Sequence, residues 1–150
     1  MEVELSEVSR EADQSRRPLL ARVKPRVLLV EDDEDLRRLV AQALAKSGYD
    51  VVEAGSGLGL LAGLECTIWG DRSEAFDVIL ADIQMPDLTA LEAPEASGSP
   101  GLDTPVVLMT AYGDPDTRAE AHRLGALAVL DKPLDWDELG SVVRSAVSMH

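Results

Sequence analysis

A single cysteine, Cys66, excludes any disulfide within the chain. That suits a reducing compartment, and the expected location is the cytoplasm. Aromatic residues make up only 3 % of the 150 positions, so the core has to be aliphatic, built from Val, Leu, Ile and Ala. No apolar run is long enough to cross a bilayer. The opening residues include Glu2 and Glu4 and carry no secretory pattern. Basic residues are scarce. Fourteen Lys and Arg face 28 Asp and Glu, a formal net charge of −14. Such a surface repels phosphate backbones, so neither nucleic acid nor membrane is an expected partner of this domain. It attracts divalent cations or a basic partner surface. Most of this charge reads simply as solubility. The interest lies in where a few of the acids sit.

Apolar residues are 45 % of the chain, enough to build a core. The length fits one domain and a short tail. Residues 1–24 show no sustained periodicity and are expected to be a disordered tail. The domain is expected over residues 25–150. Val27-Leu28-Leu29-Val30 is a short continuous apolar run, the mark of a strand buried on both faces. Leu36, Leu39, Val40, Ala43 and Leu44 then repeat at helical spacing, and Gly48 ends that helix. Further strands are expected at Val51-Val52, 76–81, 106–109 and 128–130. Helical patterns lie near 58–68, 116–124 and 136–147, the last with Asp135 and Glu138 in a capping arrangement. Five strands therefore alternate with helical patterns along the chain. That is an α/β fold, a three-layer sandwich with a parallel sheet and helices on both faces.

In such folds, ligands bind beyond the carboxyl ends of the strands, where the strand order reverses. Five residues stand at those ends. Glu31 and Asp32 follow the first strand, Asp82 the third, Thr110 the fourth and Lys132 the fifth. Each alone is ordinary: an acidic run favours a helix start, and a lone Asp caps a turn. Occurring together at successive strand ends, they point to chemistry. Three carboxylates at one edge repel one another unless a cation joins them. Mg²⁺ suits this, since it takes oxygen ligands and commonly joins one or two carboxylates to a phosphate. A lysine opposite pairs with an added anion, and a threonine hydroxyl can bond a phosphoryl oxygen. The chemistry that fits is phosphoryl transfer to a carboxylate.

Over about 26–148 the sequence resembles a response-regulator receiver domain of two-component phosphorelay signalling. The resemblance rests on Val27-Leu28-Leu29-Val30-Glu31-Asp32, on Asp82 with Met85-Pro86, on Thr110-Ala111 and on Lys132-Pro133. It implies a (βα)5 fold with a five-stranded parallel sheet in the order 2-1-3-4-5. It implies Asp82 as phosphoacceptor. Mg²⁺ would be held by Glu31, Asp32, Asp82 and the backbone carbonyl of Gln84. Thr110 matches the switch hydroxyl and Lys132 the phosphate-pairing lysine. Gln84 and Tyr112 occupy positions that tune the lifetime of the phosphorylated state, and Tyr112 is expected to shield it from water. Pro133 matches a proline that follows a cis bond in some receivers. Asp33 falls outside the usual acidic pair. The implied donor is a histidine kinase or a histidine phosphotransfer protein. The implied output is switched binding to a downstream protein, as a monomer or a weak phosphorylation-linked homodimer. The domain is a signalling receiver rather than an enzyme, promoting only its own phosphorylation and dephosphorylation.

Several positions depart from the family pattern. Val129 stands where receivers usually place a Tyr or Phe that swings inward, and valine cannot make that swing. This motivates a second reading, a phosphorylation-independent docking module. Thr89-Ala90 replaces the usual Asp-Gly, with Thr89 and Glu92 as a capping box and Pro94 shortening or distorting the helix that follows. Gly57, Gly59 and Gly63 weaken the second helical pattern. They do not make a nucleotide loop, because the Lys-Ser/Thr of a P-loop is missing. A phospho-aspartate hydrolase usually has a second Asp where this chain has Gln84, so the general acid is missing. Cys66 and Trp136 read as packing residues. No output domain is expected within the sequence, and stand-alone regulator and fragment of a larger one both stay open.

Overall fold

The computed structural model describes residues 24–60, 62–63, 75–84 and 104–148. The tail expected over 1–24 lies almost wholly outside them, as do Cys66 and the altered helix signals at Thr89, Glu92 and Pro94.

Each buried apolar run forms a strand. These are β1 (Arg26–Val30), β2 (Asp50–Ala54), β3 (Val78–Asp82), β4 (Val106–Thr110) and β5 (Ala128–Asp131). They make one parallel sheet in the order β2-β1-β3-β4-β5. The expected α/β fold and strand order are therefore found. β3 begins and ends later than its apolar run suggested. Phe76 is buried but precedes the strand, because Asp77 turns its carboxylate to the Arg26 N–H at 2.7 Å. Asp82 closes β3 and Thr110 closes β4, instead of following them.

Side chains alternate across a strand, and this sheet uses both faces. Val27 and Leu29 of β1, Val78 and Leu80 of β3, and Val107 and Met109 of β4 point to one core. The stripe of helix α1 (Glu34–Lys46) and that of α3 (Trp136–Ser148) pack there, through Val40, Leu44, Leu139 and Val143. Leu28, Val30, Ile79, Ala81 and Leu108 point to the other core, which Leu60 and, from α2 (Pro115–Arg123), Ala121 cover. Val129 packs at the edge of this second core.

Helix ends follow local chemistry. The Asp33 carboxylate accepts the Leu36 N–H at 3.2 Å and starts α1. Asp114 does the same for α2 through Thr117 N–H at 2.7 Å, with Pro115 just inside the helix. Asp135 Oδ1 accepts the N–H groups of Asp137 and Glu138 at 2.9 and 3.1 Å, bearing out the capping arrangement at α3.

One expectation needs correction. Trp136 is not a packing residue; it is 46 % exposed. It begins α3, one turn before Leu139, the first residue of the stripe that meets the sheet. Gly59 and Gly63 also have a packing reason. A helical turn starts at Gly57, and a Cβ at Gly63 would collide with the Leu28 side chain in the second core. A Cβ at Gly59 would lie 2.6 Å from that of Ala54. Weak helix propensity is the cost of bringing this turn close to β1 and β2.

Candidate functional site

Strand register assembles the site. Val30 is the partner of Ala81, so Glu31 emerges beside Asp82. Asp82 pairs with Met109, placing Thr110 one step further along the neighbouring strand. Thr110 pairs with Asp131, and Lys132 follows at once. β2 lies to one side of β1 and β3 to the other, so Glu31 and Asp82 flank the point where the strand order reverses.

The side chains converge as the strand-end reading expected. Lys132 Nζ lies 2.5 Å from Asp82 Oδ2 and 2.7 Å from Glu31 Oε1. One oxygen from each of Glu31, Asp32 and Asp82 falls within 4.8 Å of the others. Glu31 and Asp82 are buried, while Asp32 is exposed. The Gln84 N–H donates to Asp82 Oδ1 at 2.8 Å, leaving that side chain bonded through both oxygens. Thr110 is fully buried, and its hydroxyl oxygen accepts the Tyr112 N–H at 2.9 Å. The Tyr112 ring is 72 % exposed. The Lys132-Pro133 bond is cis.

Burial sets the electrostatics. It pushes the Glu31 carboxyl above its ordinary value, against the Lys132 ammonium and the Asp33 N–H, and the charge of Asp82 adds to the rise. Burial pulls on Lys132 in the opposite sense. Its bonds to Asp82 and Glu31 outweigh that pull, so the ammonium is held above its usual range.

Three carboxylates and one ammonium leave two negative charges in the nest. A single divalent cation balances that count. All three side-chain donors are carboxylate oxygens, the type that hard cations select.

A family model for the response regulator receiver domain matches residues 27–144. The chain belongs to the response regulator receiver family. It is 35 % identical over 125 residues to the regulatory protein AtoC of Escherichia coli, covering 83 % of this chain and 26 % of AtoC. It is 34 % identical over 124 residues to the DNA-binding transcriptional regulator NtrC of Salmonella typhimurium, covering 83 % of this chain and 25 % of NtrC. It thus spans about a quarter of the length of these curated relatives. Among solved structures, a CheY-like receiver domain protein from Methanospirillum hungatei superposes with a TM-score of 0.73 at 25 % identity, covering 84 % of this chain and 95 % of that one. As a receiver domain the chain is a signalling module of two-component systems. No helix among the described residues is long and apolar enough to cross a membrane.

Sequence reasoning missed the supports of this receiver site. Asp33 both caps α1 and gives its N–H to Glu31 Oε2 at 3.1 Å. The helix-start rule was enough to find its capping role. Arg118 bridges Gly113 and Asp131, with Nε 3.1 Å from the Gly113 carbonyl and Nη2 2.5 Å from Asp131 Oδ2. A Cβ at Gly113 would meet the Asp131 carboxylate and the Arg118 guanidinium, so the glycine leaves room for this pair. No local pattern announces a bridge between residues 113, 118 and 131.

Proposed function

We propose that this receiver takes a phosphoryl group onto Asp82 from a phosphohistidine, carried by a histidine kinase or a histidine phosphotransfer protein. The observation that carries this reading is the 2.5 Å contact between Asp82 and Lys132 inside an acidic nest. Glu31, Asp32, Asp82 and the Gln84 backbone carbonyl would hold Mg²⁺. When bound, Mg²⁺ supplies charge neutralisation between the acceptor and the incoming phosphoryl group.

The chain's own groups do the rest. A carboxylate oxygen of Asp82 forms the new O–P bond while the P–N bond to the donor imidazole breaks. The imidazole leaves with the electron pair and takes a proton from solvent. Gln84 N–H and Lys132 orient the carboxylate beforehand. Lys132 then pairs with the added phosphoryl oxygens. Thr110 accepts a bond from the Tyr112 N–H, so its hydroxyl proton is free to be donated to a phosphoryl oxygen. Gln84, whose N–H bonds the acceptor, and Tyr112, whose N–H bonds Thr110, set how fast water removes the group. Shielding by Tyr112 requires its exposed ring to fold over the site.

The working domain is residues 25–150, preceded by a tail at 1–24. It acts in the cytoplasm, as a monomer or a weak phosphorylation-linked homodimer, and passes its signal to a protein and not to nucleic acid. The test is incubation with a small phosphodonor and Mg²⁺, followed by intact-mass measurement. One phosphoryl group should be gained by the wild type and none by Asp82→Asn. A gain that survives Asp82→Asn defeats the assignment.

Val129 supports a second reading, docking indifferent to phosphorylation. It packs at the edge of the second core where receivers usually carry an aromatic switch. Partner affinity measured with and without beryllofluoride separates the two. Equal affinities favour plain docking.

A further inference from the structure

Arg37 is the fourth residue of α1, and its side chain reaches two other elements. Nη1 donates to the backbone carbonyl of Glu31 at 2.9 Å. Nε donates to Glu53 Oε1, on β2, at 3.1 Å. The arginine side chain is only 19 % exposed. A Cβ at Gly55 would come within 2.9 Å of Nη1, so the glycine leaves room for the guanidinium.

The Glu31 carbonyl belongs to the same rigid peptide plane as the Asp32 N–H. Fixing that oxygen therefore fixes where Asp32 starts. This matters because the three acids are held differently. Glu31 and Asp82 are buried and bonded to Lys132, whereas the Asp32 carboxylate is exposed. A lone cation beside the nest would oppose binding of another cation. Glu53 cancels that charge at 3.1 Å.

We infer that Arg37 is a positioning residue for the acidic nest: it holds the 31–32 peptide so that Asp32 stays gathered with Glu31 and Asp82, while Glu53 neutralises it. This rests on the proposed reading of the nest as a Mg²⁺ and phosphoryl site. The competing role is a plain strut between α1 and β2, which would affect stability alone.

Mg²⁺ affinity, measured by calorimetry on variants shown to be folded by circular dichroism, separates these roles. Arg37→Met should weaken Mg²⁺ binding about tenfold, the usual scale for losing a group that orients a metal ligand. Arg37→Lys should fall between, because one ammonium cannot serve both acceptors in a planar fork. In the metal-free protein, the Asp32 and Asp33 amides should exchange faster in Arg37→Met. Glu53→Gln keeps the bond to the carbonyl but leaves the guanidinium charge uncancelled. It should weaken Mg²⁺ severalfold at low salt and recover as salt rises. Arg37→Met affinity within about twofold of wild type, with unchanged amide exchange, overturns the inference. If Arg37→Met does not fold, Glu53→Gln decides, and wild-type affinity at low salt overturns it. Failure of the wild type to bind Mg²⁺ defeats the parent reading instead. The amide comparison then still reports whether Arg37 holds the turn.

Discussion

Lys132 and Asp82 stand 50 residues apart in the chain, yet Nζ and Oδ2 meet at 2.5 Å, and the same ammonium reaches Glu31 at 2.7 Å. One cation thus serves two buried carboxylates. Lys132→Met leaves both uncompensated. The expected loss in metal-free protein is about 3 kcal/mol, the low end for breaking a buried pair, since Lys132 keeps some contact with water. Mg²⁺ should restore part of it and stabilise the variant more than the wild type. Urea unfolding with and without Mg²⁺ checks both statements. Equal Mg²⁺ stabilisation of the two proteins would count against the shared-cation account.

The segment after β4 is held at two points. Thr110 Oγ1 accepts the Tyr112 N–H, and the Gly113 carbonyl accepts from Arg118, itself paired with Asp131. If the Thr110 hydroxyl turns toward a phosphoryl oxygen, the first tether is released and the second stays. Beryllofluoride with Mg²⁺ should therefore speed exchange of the Tyr112 amide in the wild type. In Thr110→Ala that amide should already exchange fast and respond little. Amide-resolved hydrogen exchange measures this, and an unresponsive Tyr112 in the wild type refutes it.

Acid sensitivity should appear at the start of α2. The Thr117 N–H and then its hydroxyl hold the Asp114 carboxyl below its ordinary value of 3.8. The unfolded chain therefore takes up the proton first. Stability from this cap is full above that ordinary value and is lost as pH falls through the lower folded one. Asp114→Asn keeps an oxygen acceptor but cannot titrate. The stability gap between the two proteins should exist at neutral pH and shrink in strong acid. Melting curves across that range test it, and a gap independent of pH rejects it.

Gly63 and Leu28 offer a packing test. A methyl group at position 63 runs into the Leu28 side chain, which is 2 % exposed. Gly63→Ala should cost about 1–3 kcal/mol through overpacking, despite the better helix propensity of alanine. Shortening Leu28 to Val in the same protein should cost less than the two single changes added together. Strict additivity in a double-mutant cycle would deny the contact.

The strands and the five strand-end residues were legible because both come from simple periods. Buried parallel strands read as continuous apolar runs, and the fold gathers the residues at or just past their carboxyl ends on one rim. Glu31, Asp82, Thr110 and Lys132 needed nothing more. Val27 to Val30 showed a strand buried on both sides without showing which residue meets which core. Arg37, Glu53, Arg118 and Asp131 were not legible, because their partners lie on other elements and no spacing links them. The packing role of Gly59 and Gly63 was hidden for a related reason. Propensity registers the helix they weaken and not the neighbours they admit. Trp136 misled because a large apolar residue at a helix start resembles a core residue until the sheet's extent is known.

The alternation along β1 carries one more consequence. Its even and odd residues feed opposite cores, and the acidic pair begins on the very next step. Adding or deleting a single residue within 26–30 would swap both cores and turn Glu31 away from Lys132 in the same stroke. Inside the first strand, the packing of both cores and the placement of the acidic pair share one reading frame.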